Sequence, residues 1–199
     1  IVRRPDNQNL FSVATIFKEK NYQPYFIYGG DGYFDNMNNF FGGQGFDIVD
    51  RNRGNPLSDD IKTQRFNIPD NEVSFENAWG ICDEDLYKQS IKYADKSSKL
   101  NKPFFQFVMT TSNHKPYTFP AGKIDLPQGD RNGAVKYTDY ALGKFWLMQK
   151  QNLGSKILCS SSLPTIVRAV PESGKSISIS IIFQRLFTIF LKKRRKSID

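Results

Sequence analysis

Phe104-Phe105-Gln106-Phe107-Val108-Met109 is the stretch that decides the fold. Its apolar side chains do not alternate with polar ones, so neither face is meant for water. A run of this length and kind suits a strand in the middle of a parallel sheet that is covered on both sides. It stops abruptly at the polar Thr110-Thr111-Ser112-Asn113-His114. In open α/β sheets ligands bind beyond the carboxyl ends of the strands. His114, the only histidine in the chain, therefore stands where a binding site is expected.

Working outward, Asp83, Glu84 and Asp85 open a helix predicted over residues 83–98, with Leu86, Ile91 and Ala94 turned inward. Residues 24–28 read as a short buried strand ending at Gly29-Gly30, and residues 46–49 as another. Asn9 is the expected cap of a helix reaching Lys20, with Leu10, Val13, Ala14 and Phe17 on one face. Residues 34–41 are ambiguous. Gly54-Asn55-Pro56 opens a loop expected to run past Asp70. Residues 133–145 are again helical, with Val135, Tyr137, Tyr140 and Ala141 available for packing. Helices alternating with strands predict an α/β domain with a mostly parallel sheet covered by helices.

Composition sets bounds. The 199 residues are 39% hydrophobic and 14% aromatic, enough for one domain with a core and too apolar for disorder throughout. The net charge of +8 is unevenly placed. Residues 1–145 carry 18 Lys and Arg against 18 Asp and Glu, whereas residues 146–199 carry 10 against 2. The same last quarter holds none of the nine Tyr but nine Ser, so it marks a tail or a change in the origin of the sequence. Because the excess charge is confined there, no nucleic-acid partner is expected, although Lys192 to Lys196 would suit an anionic surface in isolation. Residues 177–191 are apolar but too short for a membrane span, and they include Gln184 and Arg185. Cys82 and Cys159 form no disulfide framework and no metal-ligand spacing. Without an initiator Met or an apolar leader, the chain is expected to begin inside a longer protein.

His114 and Asp31 are the candidate site residues. An imidazole donates to a phosphate or sulfate oxygen, or moves a proton near neutral pH; the bland alternative is a loop histidine held by a backbone carbonyl. Asp31 follows Tyr28-Gly29-Gly30, whose glycines match neither phosphate-cradling motif and read as a plain turn. Its carboxylate either takes a substrate hydroxyl or caps that turn. Asp83, Glu84 and Asp85 are explained by the helix dipole without any metal.

Taken in order, Phe11-Ser12, Phe26-Ile27-Tyr28-Gly29-Gly30, residues 31–38, Gly45-Phe46-Asp47, Asp50-Arg51, residues 79–87 and residues 107–117 resemble the sulfatase superfamily. The resemblance is to its lipoteichoic acid synthase and phosphoglycerol transferase branch and covers residues 1–145. It implies a partial alkaline-phosphatase-like domain. By the same resemblance His114, in Asn113-His114, contacts a phosphoglycerol head group, and Asp31 lies near it. The chemistry implied is metal-assisted attack on a phosphate or sulfate ester, with a divalent Mn, Mg or Ca ion in the full-length parent and none held tightly by this chain. That parent is expected to be anchored in the cell membrane with the domain facing outward. Family transferases carry a Trp-Asn-Arg type sequence where Asp35-Asn36-Met37 stands here, so an arginine contact to phosphate is missing at that point. The family's nucleophile and one carboxylate ligand precede the region matched by Ile1.

The family's remaining metal ligands form an Asp-His pair after the helix that ends near Phe145, and no such pair follows Phe145. If each codon is reread from the last base of one codon and the first two of the next, residues 145–172 permit LADAKAKPWFQNTLFVIVADHCASSAGK, with synonymous codons chosen to favour the match. That string contains a buried strand and the Asp-His pair. Residues 180–185 likewise permit Ile-Pro-Thr. Residues 146–199 are therefore expected to be an out-of-frame, poorly ordered tail on an enzyme fragment that is itself inactive. The competing readings are an anion-binding module that uses the basic tail, and a non-functional pseudogene product.

Overall fold

The computed structural model describes residues 2–4, 6–151, 158–163, 167–169, 179–181 and 187–192. Its centre is the predicted strand, β6 (Phe104–Met109), which pairs in parallel with β1 (Gln23–Tyr28) from Gln23↔Phe104 to Tyr28↔Met109. On the other side of β1 lie β2 (Asp47–Asp50) and then β3 (Arg65–Asn67), both parallel. These four strands have helices on both faces. Side chains alternate accordingly: Tyr25, Ile27, Phe104 and Val108 pack under α3 (Asp83–Lys99) and α4 (Arg131–Gln151) with Leu86, Tyr87, Tyr137 and Phe145. Phe26, Tyr28, Phe105 and Met109 face the opposite layer of α1 (Val13–Glu19) and α2 (Met37–Gly43), with Ala14, Met37 and Phe46. The one polar side chain within β6, Gln106, is fully buried. It accepts from Ser90 Oγ at 2.7 Å and donates to Ser90 O at 3.0 Å, which satisfies both ends of the amide and ties the sheet to α3.

Several boundaries differ from expectation for local reasons. Ser12, not Asn9, caps α1: its backbone is extended, it accepts from Ala14 N, and Thr15 reaches back to Ser12 N. Asn9 has φ +54, away from the extended backbone typical of an N-cap. The ambiguous segment becomes a 3₁₀ turn followed by α2, broken at Asp35 and Asn36, both left-handed. β3 lies inside the expected long loop, where three residues leave too little pattern to read. α4 begins after Asp130, whose carboxylate accepts from Asn132 N at 3.2 Å, and it continues through Phe145.

Between β3 and α3 the chain forms a small antiparallel ribbon of β4 (Glu76–Asn77) and β5 (Gly80–Ile81). Past α4, β7 (Leu158–Leu163), β8 (Val167–Ala169), β9 (Ile179–Ile181) and β10 (Phe187–Lys192) are described. Among the described residues, β8 and β9 pair with each other alone. β10 pairs antiparallel with β6, and β7 antiparallel with β10, completing a sheet of order β3-β2-β1-β6-β10-β7. The expectation of a poorly ordered tail otherwise falls on residues outside those described. Among the described residues no helix is long and apolar enough to cross a membrane.

Candidate functional site

A cavity of about 560 Å³ opens at the carboxyl end of β1, lined by Tyr28, Gly30, Asp31, Tyr33, Phe34, Arg53 and residues 77–80. Two backbone segments meet edge-on at its floor. A Cβ on Gly80, where φ is +138, would overlap the Gly29 carbonyl, and one on Gly30 would overlap the Trp79 carbonyl. Ile81 N donates to Gly29 O at 2.9 Å across the same contact. Glycine is required here for close approach as well as for turning.

Asp31 stands on the β2 side of the cavity. Its Oδ1 accepts from Tyr33 N at 2.9 Å and from Arg65 Nη2 at 2.8 Å. Its Oδ2 accepts from Arg53 N at 3.2 Å and from Asn55 Nδ2 at 2.8 Å. Burial acts to raise its pKa, but the donors from Tyr33, Asn55 and Arg53 and the Arg65 charge outweigh it and hold the carboxyl below the usual range. The four lone-pair directions of the carboxylate are thus filled, so a substrate hydroxyl would have to displace one of these donors. Arg65, whose side chain is only 5% exposed, also forks onto the fully buried Asp50 at 3.0 and 2.6 Å, and Asp50 in turn accepts from Gly32 N at 2.6 Å. Asp50 is visible in the sequence only as part of the Asp50-Arg51 resemblance and Arg65 not at all, because the pair exists only once β2 and β3 are in register.

His114 stands beyond β6, at the same end of the sheet. Its ring lies 3.6 Å, centroid to centroid, from Trp79, and Trp79 meets Phe34 edge-on at 5.4 Å. Trp79, a cavity-lining residue, thereby links His114 to the cavity that Asp31 borders. Trp79 Nε1 donates to Lys115 O, and Nδ1 of His114 lies 3.1 Å from that same oxygen. Asn77 orders both sides: its Oδ1 accepts from Trp79 N at 2.8 Å, and its Nδ2 donates to Thr118 Oγ1 at 3.0 Å.

The loop before His114 is latched by Asp83. Ser112 N donates to Asp83 Oδ1 at 3.1 Å, Asp83 N donates to Ser112 Oγ at 3.2 Å, and Thr138 Oγ1 of α4 donates to Asp83 Oδ2 at 3.0 Å. Burial dominates and raises the Asp83 pKa against the opposing hydrogen bonds from Ser112, Thr138 and Thr111. Glu84 accepts from Tyr137 Oη, and Asp85 from Ser74 N and Oγ. Each member of the acidic trio has its own partner, and among the described residues no three His, Cys, Asp or Glu side chains converge on one point. The described residues do not form a metal site. Cys82 is buried, which pushes its thiol up to about 11 and keeps it protonated and unreactive at neutral pH.

A doubly covered parallel sheet with a glycine-floored, aromatic-walled cavity at its carboxyl edge is an α/β domain of the kind that binds ligands beyond its strand ends. The family model described as Sulfatase matches residues 3–153, and the chain belongs to that family, whose members are generally metal-dependent. Lipoteichoic acid synthase 2 of Bacillus subtilis (strain 168) is 28% identical over 126 residues, 63% of this chain and 17% of that protein. A crystal structure of a protein in the alkaline phosphatase superfamily from Vibrio parahaemolyticus is similar at a TM-score of 0.68 and 31% identity, over 96% of this chain and 44% of that one. The lipoteichoic acid synthase LtaP from Listeria monocytogenes shares the fold at a TM-score of 0.62 and 19% identity, over 96% and 48%. The chain thus spans less than half the length of each of these relatives.

Proposed function

We propose that this chain carries the substrate-binding half of an enzyme acting on phosphate or sulfate esters, by phosphoglycerol transfer to a cell-envelope polymer or by sulfuric ester hydrolysis. His114 and Asp31 serve the ester: His114 by donating to its oxygens, Asp31 by bordering the head-group cavity and fixing the backbone of Tyr33 and Arg53. The observation that carries the reading is that both residues sit past the carboxyl ends of adjacent parallel strands, joined through Trp79 at one cavity. By the family resemblance the nucleophile and metal ligands come from outside residues 1–145, and residues 1–145 supply the contacts to the substrate. In the parent, a divalent metal would polarise the ester, and the domain would face outward from a membrane anchor.

The missing Asp-His pair is encoded out of frame. In the reread string FVIV falls on positions 159–162, within β7, and Asp-His on 164–165, just past its end. Leu163 and Met109 both register against Phe187, so β7 and β6 end at the same edge of the sheet. A strand that ends at that edge immediately before the reread Asp-His supports the frameshift. Sequencing the coding DNA tests it: third bases over residues 163–167 incompatible with Ala-Asp-His-Cys would refute the frameshift. A frame-restored protein, expressed with its flanking sequence, should release glycerol phosphate from phosphatidylglycerol or sulfate from an aryl sulfate. Absence of both activities would refute the enzyme reading.

A further inference from the structure

Among the described residues that line the cavity, Arg53 is the only cation. Its backbone is fixed by the bond from Arg53 N to Asp31, while its side chain is mostly exposed and reaches Glu76 through Nη2 alone. Glu76 does not depend on it. Arg51, with its side chain buried, holds both Glu76 oxygens, Nε on Oε1 at 3.3 Å and Nη2 on Oε2 at 3.1 Å, and is itself fixed by Ile68 O. Arg53 is the surplus partner in this cluster. Moving it leaves no buried charge unpaired, and the solvent-exposed pair it would give up is of a kind that contributes little.

We infer that Arg53 is the anion clamp of this cavity: its guanidinium swings from Glu76 onto a phosphate- or sulfate-type oxygen of an ester lying against Tyr33, Phe34 and Trp79. A guanidinium presents two parallel donors to such an oxyanion, which an ammonium does not. Recognition is by contact and not by field, since Asp31 lines the same cavity and Glu76 adjoins it. The rings of Tyr33, Phe34 and Trp79 give the carbon part of the ester an apolar wall. The clamp rests on the reading of the cavity as the ester site, and the test separates the two.

The full 199-residue chain, labelled with ¹⁵N, is titrated with inorganic phosphate and with glycerol 3-phosphate while the Arg Nε–H signals and the ring signals of the single histidine are followed. Saturable shifts at Arg53 and His114 are expected. Arg53→Gln should weaken binding by about tenfold or more, the loss of a charge-assisted contact, and Arg53→Lys should recover part of it. Glu76→Gln, which removes the competing acceptor, should tighten binding a few-fold. Binding by Arg53→Gln equal to that of the parent chain, or weakened by Glu76→Gln, overturns the clamp. If His114→Ala abolishes binding while Arg53→Gln does not, the cavity reading stands and the clamp fails. If phosphate moves neither residue, both fail. Because Arg53 is exposed, unchanged backbone spectra should confirm that its variants fold.

Discussion

The two sides of the cavity are built differently. On the Asp31 side a chain of charges, buried at Asp50 and Arg65 and reaching the cavity at Asp31, fills every acceptor direction and ties β2, β3 and the glycine turn together. On the His114 side the imidazole ring rests on Trp79 and has one backbone oxygen within reach, while stability is delegated to Asp83, which latches Ser112 two residues before it. A saturated carboxylate is an organiser. A ring with spare hydrogen-bonding capacity is available to a ligand.

The comparison breaks most sharply at Arg65. Arg65→Leu leaves Asp50 buried without its partner and should cost about 3–5 kcal/mol in denaturant unfolding; an Asp50→Asn/Arg65→Leu double variant should recover much of that. A loss under about 1 kcal/mol would mean that the network does not hold this side. Gly80→Ala forces a side chain into the Gly29 carbonyl at a backbone conformation that L residues avoid, and should cost about 2–4 kcal/mol. On the opposite side, Asp83→Ala should cost about 2 kcal/mol by orphaning Ser112 N and Thr138 Oγ1, and Asp83→Asn clearly less. Equal losses for the two substitutions would remove the latch from the account.

The two carboxylates also answer pH with opposite signs. The Asp31 pKa is depressed in the folded chain, so its contribution is present above the unfolded carboxylate value and is lost as pH falls through the folded one. The Asp83 pKa is raised, so its contribution is complete below the unfolded value and is lost as pH rises through the folded one. The penalty of Asp31→Asn should therefore shrink on acidification, whereas Asp83→Asn should gain on the parent as pH rises; unfolding curves for the three proteins across the acid range decide it. The smallest effect is expected at His114. His114→Ala should change stability by no more than about 0.5 kcal/mol while removing the response to phosphate, and a large stability loss would make that ring structural.

Much of this was legible in the chain. The unbroken apolar run at β6, the glycine pair after β1 and the charged opening of α3 each carry local chemistry that permits one main reading, and the order of short segments is similar enough to the sulfatase family to place His114 and Asp31 at one end of the sheet. The absence of Tyr and the excess of cations beyond Phe145 were equally visible, since composition needs no fold. Other features were not legible. β3 is three residues long and becomes a strand only because β2 offers it an edge, and Arg65, Asp50, Arg53 and Glu76 acquire roles only after that pairing brings distant residues within hydrogen-bond range. Sequence alone thus determined the layers, the family and the end of the sheet at which His114 and Asp31 stand, because periodicity and local turn chemistry are written along the chain. Which carboxylate is occupied and which cation can move was decided by tertiary structure, because both depend on who else shares the same few ångströms.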